Sequence, residues 1–466
     1  MKSNIWLIWL AVMWENLARN IADNWFKISV YNRTKEKTKD FIGKNYSKNL
    51  IWTYSIKEFV DSLESPKKII IMVKAWTWVD QVINEIKPLL KKEDIIIDAW
   101  NSLYKDTNKR YIELSKENIF YIWCWVSGWE EWALKWPSIM PGWDKEAYDK
   151  ISDILTKISA EDFNWKKCVT YIWKWWSWHY VKMIHNGIEY SIMQMIAESY
   201  DILRKWYRLS SYDIWHIFEK YNKWVLESYL IEITSKILKR KDEFNDWYLV
   251  DYIKDVAWAK WTGLWTSNEW LERWCPIQSI IEATQARNIS KNIDLRNKLS
   301  LEYLLNSIPN SINVKNFSKL LEQTIYAWMI FSYAQWLHLI HTASKEEWWD
   351  INLSEVVRIW QWWCIIRAKI LDFLTEVFKN NPNIENILEL PEIKQEIMYS
   401  IQDYKTVLQT WLNHNIFTPA LNSWLQYFFW IIDKNSSANL IQGMRDYFWA
   451  HTYERLDKEW IFHTKW

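Results

Sequence analysis

Glycine is nearly missing from this chain, with six in 466 residues where a usual share of about 7% would supply roughly 33. A folded chain uses glycine at helix ends, tight turns and close backbone approaches, because only a residue without Cβ takes φ > 0 at little cost. Cysteine is scarce too. Cys124, Cys168, Cys275 and Cys364 are far apart and form no CxxC pair, which argues against a disulfide framework or a cysteine metal site and suits a reducing cytoplasm. Charge of one sign is absent: 58 Lys and Arg face 57 Asp and Glu, for a net +1, so the balance points to no nucleic-acid or strongly acidic partner. Long apolar runs are lacking as well. The stretch Ile5 to Trp14 follows Lys2, but Glu15 and Arg19 come at once and no small-residue cleavage site appears. About ten apolar residues cannot span a bilayer, so neither export nor a membrane span is expected.

What the chain has instead is tryptophan, 41 residues of it. Trp25 follows Asn24 where a helix should stop, Trp100 precedes Asn101 in a strand-end loop, and Trp129 and Trp143 abut Gly128 and Gly142. Doublets occur at 175–176, 348–349 and 362–363. The six glycines and 41 tryptophans together cover a normal glycine complement with a few genuine tryptophans left over. The expectation is that most of these positions are glycine in the source cell, through a codon printed as tryptophan, UGA, and read as glycine. A truly tryptophan-rich chain would need dozens of indole N–H groups partnered or exposed, and would show large apolar patches. Its natural function would be non-catalytic, stacking sugars or bases on exposed indoles.

The length suits two or three domains. Residues 1–177 alternate short β-rich runs (Asn4 to Ile8, Lys27 to Tyr31, Ile69 to Val73, Ile95 to Asp98, Ile119 to Ile122) with amphipathic helix-length segments, the pattern of a parallel, doubly wound α/β sheet. Residues 178–434 carry long helical periodicities, as in Met183 to Arg204 and Glu355 to Phe378, and predict an all-α domain. Residues 435–466, entered past Ser436 and Ser437, read as an extended C-terminal tail.

The opening IWLIWLAVMWENL reads as strand, turn and helix. With glycine at Trp9 and Trp14, the residues Trp9, Leu10, Ala11, Val12, Met13 and Trp14 form a GxAxxG variant of the Rossmann-type dinucleotide fingerprint. Its small residues permit the tight turn, the approach of backbone to pyrophosphate and the seating of helix on sheet. The pyrophosphate then meets the free N–H groups of a helix N-terminus. The next strand ends in Tyr31, Asn32, Arg33 and Thr34, where an NAD site usually carries Asp or Glu. A guanidinium and a hydroxyl suit a 2′-phosphate, so NADP is favoured. Val73, Lys74, Ala75 and Asn101 close later strands and are further cofactor candidates.

In these segments, and in VYNRT, IMVKAWTWVD, DAWNSLYKDT, CWVSGWEEWALKWPSIMPGW, WHYVKMIHNGIEYSIMQ, WAKWTGLWTSNEW, EATQAR and RDYFWAHTYERLDKE, the chain resembles the decarboxylating 6-phosphogluconate dehydrogenases over nearly its whole length. In almost every segment a printed tryptophan falls where the family has glycine, whereas Trp265, Trp360 and Trp466 match family tryptophans. The resemblance implies a cytoplasmic homodimer of the pentose phosphate pathway that oxidises 6-phosphogluconate at C3 with NADP and loses carbon dioxide, without a metal. It implies Lys182 as general base and Glu189 as general acid. Substrate would be held by Asn101, Ser127, Gly128, Trp129 (as glycine), His185, Asn186, Tyr190, Lys260, Thr262 and Arg287, with Arg445 and His451 from the tail of a second subunit. Ala99, Lys174 and Ser191 depart from the usual family residues. Another β-hydroxyacid dehydrogenase would share the nucleotide fold and a helix lysine but lack the RDYF and AHTYE segments.

Read as a helix, His179 to Arg204 brings Lys182, His185, Asn186 and Glu189 within about 60° of one direction. Lys182 and Glu189 are roughly 10 Å apart along the axis, enough to straddle a small sugar acid. A desolvated lysine can act as a base and a buried carboxyl as an acid. Spacing alone equally allows a solvated polar face, but the neighbouring Met183, Ile184, Ile188, Met193 and Met195 argue for burial. Residues 258–270, with Lys260, Thr262, Thr266 and Ser267, read as an anion-wrapping loop, and Arg287 and Arg445 as bidentate anion contacts or surface cations. His338, His341 and His463 have no partner at ligand spacing, and no metal site is expected.

Overall fold

The computed structural model describes residues 2–8, 12–45, 47–73, 77–99, 104–126, 130–135, 137–142, 144–162, 165–171, 177–258, 261–308, 312–362, 364–434 and 436–466. Seven strands form the first sheet: β1 Ile5–Ile8, β2 Ile28–Tyr31, β3 Leu50–Trp52, β4 Lys68–Ile71, β5 Ile95–Asp98, β6 Phe120–Val126 and β7 Ile139–Gly142. Their order is β3-β2-β1-β4-β5-β6-β7, with β7 alone antiparallel to its neighbour. β1 and β5 are buried along their whole length, as expected of parallel strands covered by helices on both faces. The sequence reading holds for the parallel core. It misses β3, a three-residue edge strand, and β7, whose IMPG sequence combines Pro and Gly.

The second part is helical and is threaded by the 29-residue helix Ser177–Lys205, hereafter the central helix, most of whose residues are buried. It packs against the helices Trp261–Arg273 and Gln278–Ser290. Gly187 allows the approach, since a Cβ there would lie 2.8 Å from Ile280 Cδ1 and 2.9 Å from Thr266 Cγ2. Glu198, also on the central helix, accepts the backbone N–H groups of Ala420 and Leu421 at 3.0 Å each and so caps the helix Pro419–Ile431. Burial pushes its carboxyl up to about 8. The two parts meet through Arg358, which donates to Asp162 and Glu355 at 2.9 Å each, and through Ser138, whose hydroxyl donates to the Ile359 carbonyl at 2.8 Å.

Three expectations change. The periodicity from Glu355 to Phe378 is not one helix but two, Leu353–Trp360 and Ile370–Asn380, because the chain turns between them and buries Cys364. The segment expected as an anion-wrapping loop is helical from Trp261, and the buried Thr266 hydroxyl donates to the Met183 carbonyl at 2.8 Å, tying two helices together. The tail forms the helix Ala438–Trp449 and a hairpin of Tyr453–Glu454 with Ile461–Phe462. Both are gathered around the buried carboxylate of Asp446, which accepts from Thr452 N, Thr464 N and Trp466 Nε1.

The tryptophans sit uncomfortably in this fold. Among the described residues, Trp25, Trp165, Trp274 and Trp348 are four of the eleven non-glycine residues with positive φ. Three of them lie one or two residues past the ends of the helices Val12–Asp23, Trp261–Arg273 and Val314–Glu346, the place where glycine ends helices. All four are more than three-quarters exposed. Inside, the ring centroids of Trp424 and Phe331 lie 3.4 Å apart at 56°, nearer than the roughly 4.5 Å at which aromatic pairs begin to fit. Trp6 and Phe59 are as close. The buried indole N–H groups of Trp6, Trp178, Trp336, Trp360, Trp411 and Trp424 find no acceptor among the described residues, at a cost of roughly 1–3 kcal/mol each. By contrast Trp328 donates to the Ala420 carbonyl, and Trp466 is held by Asp446.

Candidate active site

The carboxyl end of β6 meets the first turns of the central helix, Trp123 against His179 and Trp125 against Lys182 and His185, and the carboxyl ends of parallel strands are the usual ligand side of an open α/β sheet. At the end of β2, the buried Asn32 accepts the Thr34 N–H through Oδ1 at 2.8 Å. This fixes the turn that presents Arg33. The Arg33 guanidinium is half exposed and pairs with Glu85 at 2.5 Å, leaving it within reach of an anionic group arriving over the strand end. Val73, just past β4, is buried. Trp14, in the helix Val12–Asp23, is buried in the core cluster between helix and sheet that also holds Leu17, Ala18 and Ile97. There it fills the contact that the last glycine of the fingerprint keeps short. Trp9, Leu10, Ala11, Lys74, Ala75, Asn101, Ser127, Gly128, Trp129 and Lys260 lie outside the described residues, as do the side chains of Val12, Met13 and Thr262.

On the central helix, Lys182, His185, Asn186 and Tyr190 are all buried. Lys182 Nζ lies 2.9 Å from His185 Nδ1. Burial lowers this amine from its ordinary 10.5 to about 8, against the smaller opposing effects of Cys364 and Glu189. Burial, and then the neighbouring Lys182, hold His185 well below 6.5, so its imidazole is neutral. Glu189 is partly buried two turns further on. Arg287 stacks its guanidinium 3.4 Å from the centre of the Tyr190 ring, and burial lowers its pKa while Tyr190 and Glu189 partly restore it. A lowered lysine and a second titratable side chain on one buried helix face are the parts of a separated base and acid.

Three neighbours of this cluster have no local sequence signal. Cys364, from the turn after Leu353–Trp360, places Sγ 2.6 Å from His185 Nε2, a contact across 179 positions of chain. The Trp125 indole lies 3.7 Å from Lys182 Nζ, and the Trp360 ring is edge-on to His185 at 5.9 Å. Lys182 is only 5% exposed, with the Trp125 ring against its amine. Arg445 and His451 are exposed on the tail, and their contacts are with tail residues, Gln442 and Phe448. Within this chain they are not brought to Lys182. His338 bonds the Glu385 carbonyl and His463 bonds Asp446, both at 2.9 Å. Among the described residues no group of three or more His, Cys, Asp or Glu could hold a metal, and no helix is long and apolar enough to cross a membrane.

Two sequence-family models match the chain: the NAD binding domain of 6-phosphogluconate dehydrogenase over residues 4–172 and the C-terminal domain of 6-phosphogluconate dehydrogenase over residues 178–466. The chain is 42% identical over 465 residues to the decarboxylating 6-phosphogluconate dehydrogenase of Escherichia coli (strain K12), covering 100% of this chain and 99% of that one. It is 44% identical over 469 residues to the NADP(+)-dependent decarboxylating 6-phosphogluconate dehydrogenase of Bacillus subtilis (strain 168), with the same coverage. Among solved structures, the Plasmodium falciparum 6-phosphogluconate dehydrogenase, determined in apo form and with NADP+ and 6-phosphogluconate, superposes with a TM-score of 0.95. It is 39% identical and covers 99% of this chain and 100% of its own.

Proposed function

This chain belongs to the decarboxylating 6-phosphogluconate dehydrogenases, and from that membership we propose how its own residues divide the work. The enzyme oxidises 6-phosphogluconate with NADP and releases carbon dioxide, leaving ribulose 5-phosphate. The observation that carries the assignment of roles is the buried amine of Lys182, lowered to about 8, on the helix it shares with Glu189.

Bound NADP supplies the acceptor for the hydride that leaves C3. Asn32, Arg33 and Thr34 hold its 2′-phosphate, with the Arg33 guanidinium turning from Glu85 to the anion. Residues 9–14, 73–75 and Asn101 line the rest of the nucleotide. Neutral Lys182 takes the C3 hydroxyl proton as the C3–H bond breaks. The resulting ketone, two carbons from the carboxylate, accepts the electron pair when the bond to carbon dioxide breaks. Lys182 returns its proton to that oxygen, giving the enediol, and Glu189 then delivers a proton to C1 while Lys182 takes up the hydroxyl proton released as the C2 ketone forms. Asn101, Ser127, Gly128, residue 129, His185, Asn186, Tyr190, Lys260, Thr262 and Arg287 position the sugar phosphate.

Residues 1–177 form the cofactor domain, 178–434 the helical domain and 435–466 the tail of a homodimer, whose Arg445 and His451 complete the site of the other subunit. The apolar residues on the outside of the tail, Leu440, Tyr447 and Phe448, each more than half exposed, support this placement. We further propose that most printed tryptophans, including those at 9, 14, 125 and 129, are glycine in the protein its cell makes. The left-handed helix ends, the crowded ring pairs and the indole lying on Lys182 all support it.

The test is NADPH formation together with release of labelled carbon dioxide from 6-phosphogluconate carrying the label at C1, set beside small 3-hydroxy acids. Coupled formation of both products from 6-phosphogluconate alone is expected. Turnover of the small acids in its place, or NADPH without carbon dioxide, contradicts the assignment.

A further inference from the structure

We propose that Cys364 is a positioning residue that holds His185 in the tautomer protonated on Nε2, so that Nδ1 is left as an acceptor for Lys182. The proposal rests on Lys182 being the base. Its geometry is a three-member chain, Lys182 Nζ to His185 Nδ1 at 2.9 Å and His185 Nε2 to Cys364 Sγ at 2.6 Å, with His185 and Cys364 at most 1% exposed.

A neutral imidazole carries one proton, and the nitrogen opposite it is a bare acceptor. If the proton is on Nε2, it is donated to the sulfur of Cys364, and Nδ1 receives an N–H from Lys182. The amine then keeps its one lone pair free to take the substrate proton. If the proton is on Nδ1, the amine accepts it, and the lone pair is spent on the imidazole. Only the first arrangement leaves a working base. It also serves after the transfer, because an ammonium still has an N–H to offer Nδ1. Sulfur is suited to the accepting role here, since the thiol receives the backbone N–H groups of Ile365 and Ile366. Burial raises the thiol to about 12, so it stays protonated and adds no anion beside Lys182.

Among the described residues, the titratable groups facing the chain are Lys182, His185 and Glu189 on the central helix, Tyr333 from the helix Val314–Glu346 and Cys168 from the segment after the helix Lys145–Ile158. Tyr333 is pushed up by burial and Cys168 is pushed up to about 12, so neither changes charge near neutrality. Glu189, the proposed acid, shares that face and is common to every variant below.

The experiment is the pH profile of kcat for Cys364→Ala and Cys364→Ser, with Lys182→Met as reference and melting temperatures as the folding control. Without the sulfur, the Nδ1-protonated form becomes available and binds the neutral amine. Cys364→Ala should therefore lower the plateau, on the order of tenfold as for other partners that orient a histidine, and move the acid limb to lower pH. Cys364→Ser, whose hydroxyl oxygen also accepts, should restore both. A folded Cys364→Ala enzyme with the parental profile overturns the proposal, as does one whose plateau falls while its acid limb stays in place. A folded Cys364→Ser enzyme that behaves like Cys364→Ala also overturns it. If instead Lys182→Met keeps turning over, the base assignment itself fails, whatever the Cys364 variants do.

Discussion

Replacing Lys182 by methionine should make the protein more stable while removing its activity. The amine is buried, and its pKa falls from 10.5 to about 8, a gap worth about 3 kcal/mol. The unfolded chain holds the proton up to the ordinary value and the folded chain gives it up earlier, so between about 8 and 10.5 the unfolded state binds more protons and stability climbs with pH. Below about 8 the whole penalty is present. Methionine fills a similar volume without a charge and removes that penalty. The hydrogen bond lost by His185 returns about 1 kcal/mol, leaving a net gain of about 2 kcal/mol at pH 7 that fades as pH rises toward 10.5. Denaturant titration of parent and variant at pH 7 and pH 10 measures this directly. Turnover should fall by about 10²- to 10⁴-fold, the usual worth of a general base. In the parent, an amine of pKa about 8 is neutral in about one molecule in ten at pH 7, against about three in ten thousand for an ordinary lysine. The acid limb of kcat/KM should therefore have its midpoint near 8. A variant less stable than the parent at pH 7, or a parental profile flat between pH 6 and 9, would refute the reasoning.

Arg33→Gln should raise the KM for NADP on the order of tenfold to a hundredfold, the loss of a charge-assisted contact, with little change for NAD; steady-state kinetics with both cofactors checks it. Gly187→Ala places a methyl against Ile280 and Thr266 and should cost about 1–3 kcal/mol, seen as a lower denaturation midpoint. Asp446→Asn removes the charge that Thr452, Thr464, His463 and Trp466 share. It should open the tail to limited proteolysis and raise the KM for 6-phosphogluconate, with the body of the protein melting as before.

How far residues alone predict this molecule depends on how local the cause is. β1 and β5 announce themselves because a strand buried on both faces is apolar throughout. The central helix does so because its polar stripe repeats at 3.6 residues among methionines and isoleucines, which aligns Lys182, His185, Asn186 and Glu189 before any fold is known. β7 stays hidden because Pro141 and Gly142 weaken its strand signal, and it forms only where β6 offers an edge. The break between Trp360 and Ile370 is hidden for the opposite reason, since apolar periodicity runs on through a turn that tertiary packing imposes. The site follows the same division. Arg33 is read from its strand end, but its pairing with Glu85 and the contact of Cys364 with His185 join distant stretches of chain, and neither leaves a local pattern.

The central claim is that this chain turns over 6-phosphogluconate with bare backbone, and not indole, beside the nucleotide and Lys182. Two purified proteins decide it, one with tryptophan as printed and one with glycine at 9, 14, 125 and 129, each assayed for NADPH formation from 6-phosphogluconate. The glycine form should turn over and the tryptophan form should not. Equal rates from the two would contradict the account.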